Sequence, residues 1–146
     1  RSNEVAMREF IPNVITPEEA AFLVGLAPAT KMNPEIDHPV SSKIRDTINS
    51  LVRATWSPPA YTQLERRTNR PHRWHVDTGT RNHMAWCRYG CSILLTDDPE
   101  AGSLEYRDGF KLEASEHFCG LAIHSSDVEH RTVAPGTRIT YLAFLR

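Results

Sequence analysis

Cysteine is scarce in this 146-residue chain: Cys87, Cys91 and Cys119 make an odd number with no framework spacing. Such usage excludes a disulfide-stapled scaffold and fits a reducing compartment, so a cytoplasmic protein is expected. The Cys87–Cys91 separation is not the C-x-x-C of zinc ribbons or thioredoxin-like sites, and small buried apolar residues are the expected role. An excess of one charge is lacking too. The formal net charge is −1, so no global basic field gathers nucleic acid or acidic lipid. No apolar run approaches the roughly 20 residues of a membrane span, and no h-region of signal-peptide type opens the chain. Internal repeats and low-complexity segments are absent as well. What remains is 40% apolar and 24% charged residues. That is the balance of a globular protein, at a length that fits one domain over residues 1–146.

The chain changes texture near residue 60. Before it, roughly over 15–56, the pattern is helical. In "NVITPEEAAFLVGLA", Thr16 is placed to cap a helix, Pro17 suits its first position, and Glu18 and Glu19 complement the positive dipole end. Ala20, Ala21, Phe22, Leu23 and Leu26 supply the apolar face. Pro28, Pro34 and Pro39 predict a loop. A second helix follows, capped at Ser41 or Ser42, with Ile44, Ile48, Leu51 and Val52 at helical spacing until Pro58 and Pro59. Over roughly 60–146, short runs such as "YTQLE", "WHVD", "CSILLTD", "GSLEY", "GLAIHS" and "TRITYLAFL" alternate with Gly, Asp, Asn and Pro. Many short antiparallel strands are expected, as in a sandwich or barrel carrying flanking N-terminal helices.

"RWHVDTG" carries the chemistry. In an extended chain residues i and i+2 share a face, so His75 and Asp77 project together. The pair reads either as two metal ligands or as ordinary polar residues on a strand. His130 sits at the end of an irregular polar segment, ahead of a turn at Pro135–Gly136 and the most apolar strand. With His75 and Asp77 it completes a two-histidine, one-carboxylate set, the facial triad that leaves three positions open on Fe(II). Arg138 falls on the next strand, where a guanidinium can clamp a carboxylate through two parallel bonds. Thr140 shares its face and adds a hydroxyl.

H-x-D, a distant H and then G-x-R on the following strand resemble the iron(II)/2-oxoglutarate dioxygenases, specifically the prolyl-4-hydroxylase-like branch. "ITPEEAAFL" is similar to the opening helix of that branch, "SILLTDDPEAGSLEY" to its central strand and turn, and "GLAIHSSDVEHRTV" to its approach to the second histidine. The resemblance spans roughly residues 15–144. It implies a double-stranded β-helix, a jelly-roll or cupin-like barrel of two antiparallel sheets. It also implies Fe(II) held by His75, Asp77 and His130, with Arg138 on the far carboxylate of 2-oxoglutarate. The activity implied is hydroxylation of an aliphatic C–H, using O2 and releasing succinate and carbon dioxide. The substrate would be a prolyl or other amino-acid residue of a peptide, or a small molecule such as a free amino acid. The tyrosine that often contacts 2-oxoglutarate in this branch is missing, and Tyr61, Tyr89 and Thr140 are the candidates to replace it. Ala101 stands where the first glycine of the usual pair would be, and the interval from His130 to Arg138 is short.

Other readings compete. The basic stretch Arg66, Arg67, Arg70, Arg73 and Arg81 is either a solvated loop face or a rim steering an anionic ligand. It would also suit an oxidative nucleic-acid demethylase of the same fold, but the neutral total charge and the lack of a groove-reading element argue against nucleic acid. A non-catalytic cupin-type metal barrel is the remaining alternative; there the second motif position is usually His, whereas here it is Asp77. His72 and His83 flank the first pair and read as loop residues, His124 as structural or cavity-lining. Trp74 and Trp86 read as packing residues, and Arg131 as pointing away from the metal.

Overall fold

The computed structural model describes residues 8–27, 38–52, 61–77 and 84–146. Its elements are β1 (Arg8–Ile11), α1 (Pro17–Leu26), α2 (Pro39–Val52), β2 (Tyr61–Thr68), β3 (His72–His75) and β4 (Tyr89–Leu94). A 3-10 turn (Pro99–Ala101) leads to β5 (Ser103–Tyr106), β6 (Lys111–Glu113), α3 (Ala114–His117), β7 (Leu121–Ser125), β8 (His130–Val133) and β9 (Thr137–Leu145).

The first helix starts where its capping residues stand. Thr16 Oγ1 accepts from the N–H of Glu19 at 3.1 Å, and Glu19 Oε1 accepts from the N–H of Thr16 at 2.8 Å. This reciprocal box satisfies two N–H groups that the helix cannot bond itself. The second helix begins earlier than the serines suggest. Pro39 takes its first position, where a missing N–H is no loss, and His38 Nδ1 accepts from Val40 N–H at 3.1 Å. Ser41 is therefore buried inside the helix rather than capping it. Val40, Ile44, Ile48 and Val52 form the buried stripe, while Leu51 and, on α1, Phe22 and Leu26 are exposed. No helix among the described residues is long and apolar enough to cross a membrane.

Two antiparallel sheets make the double-stranded β-helix that the motifs imply. The larger has the order β1-β7-β4-β9-β2 and the smaller β3-β8-β5-β6. Both helices pack on the outer face of the larger sheet. Leu23, Ile44 and Ile48 meet Ile93, Leu121, Ile123, Ile139, Tyr141, Ala143 and Leu145 there. At about 1.5–3 kcal/mol for each large side chain taken from water, this layer is the main source of stability.

Because side chains alternate along a strand, the other face of the same strands is free for function. On β9, Ile139, Tyr141 and Ala143 face the helices, while Arg138, Thr140 and Leu142 face the space between the sheets. Farther along that space, Leu104, Tyr106 and Leu112 of the smaller sheet close on Phe10 and Ala122 of the larger.

Three strands were not anticipated. β1 and β6 are short and carry mixed polar residues, and β8 begins at His130, which is a strand residue rather than the end of an irregular segment. The strand is specified by its neighbours: it pairs with β3 on one side and β5 on the other.

Candidate metal centre and its cavity

The open end of the barrel holds a cavity of about 280 Å³, walled by both sheets. Apolar side chains (Val76, Leu104, Leu142 and Phe144) share its lining with His75, Asp77, His130, Arg138 and Thr140.

His75 ends β3 and His130 opens β8, and the two are cross-strand partners in the smaller sheet. Asp77 lies two residues past the end of β3, fixed by its N–H donating to the carbonyl of Ser126 at 2.9 Å. Asp77 Oδ1 is 3.7 Å from His75 Nε2 and 3.5 Å from His130 Nε2. One nitrogen or oxygen from each of the three can be chosen so that all lie within 4.8 Å of one another.

The tautomers follow from the partners. His75 Nδ1 is 2.7 Å from the carbonyl of Arg73, and His130 Nδ1 is 2.8 Å from that of Val128. A carbonyl can only accept, so each Nδ1 carries the proton and each Nε2 presents a lone pair toward Asp77. This is how metal-ligating histidines are oriented. Burial, with His124 adding to it, pushes the His130 imidazole down to about 3, so it is neutral and able to ligate at neutral pH.

The second oxygen of Asp77 faces away from this centre. Oδ2 is 2.8 Å from His124 Nε2, and His124 Nδ1 is 3.1 Å from the hydroxyl of Tyr106. Burial works to raise the Asp77 carboxyl, but the His124 bond and the surrounding imidazoles outweigh it and hold it below the usual carboxylate range. A charged acceptor with two lone-pair donors beside it is a hard, oxygen-and-nitrogen set suited to a divalent iron-like cation. Thiolate ligation is absent: the Cys87 and Cys91 thiols are pushed up by burial, Cys87 to about 12, and all three cysteines are buried and free.

Arg138 is the cationic pole of the cavity. Only 2% of it is exposed, and it forms no ion pair with any described carboxylate. Nη1 donates to the carbonyl of Ala101 at 3.0 Å and Nη2 approaches His117 Nδ1 at 3.4 Å, while Nε has no partner among the described residues. Burial lowers Arg138 to about 10, which still leaves it charged at neutral pH. Thr140 is on the same face, as the strand period requires.

The other sequence candidates divide. Tyr89 does not line the cavity; it lies on the opposite parity of β4 from Gly90 and Ser92 and packs against the helix-side core. Tyr61 pairs with Phe144 at the far end of β2, and its side chain lies outside the described residues, as do His83 and Arg81. His72 lines the cavity and stacks on His75 with centroids 3.7 Å apart. Trp74 is a packing residue, held between the guanidinium groups of Arg107 and Arg131 at 4.1 and 4.6 Å. Arg131 turns away from the centre to Glu105 at 2.9 Å. In the basic stretch, Arg66, Arg70 and Arg73 are exposed and Arg67 pairs with Glu65 at 3.0 Å. Tyr106 and His117 went unnoticed in the sequence. Their only signal was strand and turn context, which does not say which way a side chain points.

No family model matches the chain, and no curated protein matches it in sequence. Solved structures do match in fold. A prolyl-4-hydroxylase from Pseudomonas putida superposes with a TM-score of 0.71 at 13% identity, over 97% of this chain and 86% of its own. The viral collagen prolyl hydroxylase of Paramecium bursaria chlorella virus-1, in complex with 2-oxoglutarate, gives 0.73 at 16% identity, over 95% and 94%. The non-haem α-ketoglutarate-dependent epimerase SnoN of nogalamycin biosynthesis gives 0.64 at 13%, over 95% and 77%.

Proposed function

We propose that this protein is an Fe(II)- and 2-oxoglutarate-dependent oxygenase of the prolyl-4-hydroxylase-like kind, acting on an aliphatic C–H of a prolyl or other amino-acid residue, or of a free amino acid. One observation carries the reading: a convergent Nε2, Oδ1, Nε2 set shares a small cavity with a buried guanidinium that has no carboxylate partner among the described residues. A buried cation with no carboxylate bonded to it is costly; Glu65 on the cavity wall offsets that only from a distance, and an anionic ligand in the cavity lowers the cost further.

Bound iron, with 2-oxoglutarate and dioxygen, supplies the oxidising power for hydroxylation, with release of succinate and carbon dioxide. The chain supplies placement. His75, Asp77 and His130 would hold the metal and leave positions on it for small molecules. Arg138 and Thr140 grip the far carboxylate of the co-substrate, fixing which end meets the metal. Val76, Leu104, Leu142 and Phe144 give the site dry walls that suit an aliphatic ring and exclude competing water.

The test is an anaerobic Fe(II) titration of metal-free protein with 2-oxoglutarate, following the visible metal-to-ligand charge-transfer band, with a His75→Ala, Asp77→Ala double variant as control. A band in the wild type that is lost in the variant supports the reading. Succinate release on prolyl peptides and free amino acids then tests the substrate class. Folded protein that binds iron without developing the band would instead be a metal barrel of non-oxygenase type.

A further inference from the structure

Asp77 has two oxygens and only one of them faces the metal centre. Oδ1 is 3.5 and 3.7 Å from the ligating nitrogens of His130 and His75, whereas Oδ2 is held 2.8 Å from His124 Nε2 on the side of the larger sheet. A carboxylate oxygen can only accept, so His124 Nε2 is the donor. In the neutral imidazole Nδ1 is then the acceptor for the Tyr106 hydroxyl at 3.1 Å. Both ring nitrogens are thus spoken for, and the imidazole cannot rotate without losing two buried hydrogen bonds. Tyr106 is itself fixed, with the Arg8 guanidinium over its ring at 5.4 Å and Arg8 tied to Asp108 at 2.8 Å.

The floor under this pair is an independent observation. A Cβ at residue 90 would collide with Asp77 Oδ2 and come within 2.7 Å of His124 Nε2. Gly90 sits in the middle of the larger sheet on β4, opposite His124 on β7, with no left-handed φ to call for glycine. The missing side chain leaves the space that the Asp77–His124 pair occupies.

We infer that His124 is a positioning residue that keeps Asp77 a one-oxygen ligand. This rests on the proposed iron and 2-oxoglutarate chemistry. Three protein ligands of this kind would leave open positions on a bound metal for the co-substrate and dioxygen. If Oδ2 were free to turn toward the metal, Asp77 would occupy two positions and compete with the chelate. His124 prevents that by binding Oδ2 from behind, and Tyr106 holds His124 in the tautomer that donates.

The experiment separates metal affinity from co-substrate affinity in His124→Phe, His124→Gln and Tyr106→Phe. Mn(II) binding is read by electron paramagnetic resonance, and 2-oxoglutarate binding by the charge-transfer band at saturating Fe(II) without oxygen. His124→Phe keeps a ring of similar bulk but no donor. It should bind Mn(II) within about tenfold of wild type, while its dissociation constant for 2-oxoglutarate rises tenfold or more. Tyr106→Phe should shift the same constant a few-fold in the same direction. His124→Gln, which restores a donor, should recover part of the loss. Should His124→Phe fail to fold, the other two variants carry the comparison. The inference is overturned if 2-oxoglutarate binding stays within twofold of wild type, or if Mn(II) and 2-oxoglutarate weaken together, which would make His124 a support for metal holding alone. A wild-type protein that binds no metal would overturn the proposed function and this inference with it; a wild type that develops the band beside unaffected variants overturns only the inference.

Discussion

Nη2 of Arg138 lies 3.4 Å from Nδ1 of His117, inside the barrel, and His117 Nε2 is 3.2 Å from the carbonyl of Ser92. The carbonyl requires a proton on Nε2, so Nδ1 faces the guanidinium as an acceptor. Burial, followed by the charge of Arg138, pushes the imidazole down to about 3. His117 is therefore a neutral prop for a charged arginine. It fixes the direction of the fork without neutralising it, and the charge remains available to a ligand.

Arg138 is accordingly expected to matter more for co-substrate than for folding. Arg138→Met should weaken 2-oxoglutarate binding a hundredfold or more, equivalent to about 2.7 kcal/mol, because a buried carboxylate then loses its partner. Arg138→Lys keeps charge but loses the planar fork and should weaken it about tenfold. Stability without ligand should fall modestly, by about 1–2 kcal/mol: the Ala101 carbonyl and His117 Nδ1 lose a buried donor, and removal of a desolvated charge offsets part of that cost. Isothermal titration of the iron-loaded protein and urea unfolding of the apo-protein provide the two readings. A large stability loss with unchanged 2-oxoglutarate affinity would assign Arg138 to the core instead.

His117 gives a pH signature. Its folded value of about 3 lies below the ordinary histidine value near 6.5. The unfolded chain therefore binds the extra proton first. The stability it contributes is complete above about pH 6.5 and is lost as pH falls toward 3, at up to about 1.4 kcal/mol per pH unit. His117→Gln, which cannot titrate, should show a shallower fall of unfolding free energy between pH 6.5 and 4.5. Urea melts of metal-free protein at several pH values measure the slopes. Parallel curves for the two proteins would mean that His117 is not the buried neutral group its contacts indicate.

What could be read in the sequence was what local chemistry determines. Thr16 and Glu19 mark a helix start because the box they form is closed within four residues, and the dense apolar run in "ITYLAFL" marks a strand through the core. His75, Asp77, His130 and Arg138 were legible as a set because each has a chemistry that few other arrangements need. What was lost is what tertiary pairing decides. Tyr89 looked like a co-substrate contact until the register of β4 placed it on the helix side. His130 looked irregular because β8 has no apolar alternation of its own and is ordered by β3 and β5. Pro39 looked like a loop residue because its value at a first helical position depends on where the chain turns. Gly90 was not singled out at all, and only the pair above it reveals its use.

The capping box is a local prediction independent of function. Thr16→Ala removes the acceptor for Glu19 N–H and should destabilise the protein by about 1 kcal/mol. Glu19 also meets Lys43 of α2 at 2.8 Å on the surface, where an ion pair contributes little, so Lys43→Ala should change stability by less than about 0.5 kcal/mol. Chemical denaturation of both variants tests the ranking. The reverse order would show that the link between helices, not the cap, holds α1 in place.

Gly90→Ala asks whether one methyl group can disable the metal centre without touching a ligand. The backbone at Gly90 accommodates alanine, since its φ is not in the left-handed range. Its neighbours on β7 and β9 are regular ladder partners, so the sheet itself has no objection to alanine. The new methyl would instead fall on Asp77 Oδ2 and against His124 Nε2, and the pair can retreat only by giving up the 2.8 Å bond between them or by moving into the cavity. The carboxylate must rotate or the segment carrying it must lift, and either motion moves Oδ1 away from the two Nε2 atoms. Divalent-metal affinity should then fall by ten- to a hundredfold, while helix and strand content by circular dichroism stays that of the wild type. Overpacking of this kind costs about 1–3 kcal/mol, so a modest drop in melting temperature is expected alongside. Full metal affinity with unchanged stability would mean that Asp77 is not held against the sheet at Gly90. A fall in affinity with an intact fold would show that the glycine serves the ligand, through the space it leaves empty.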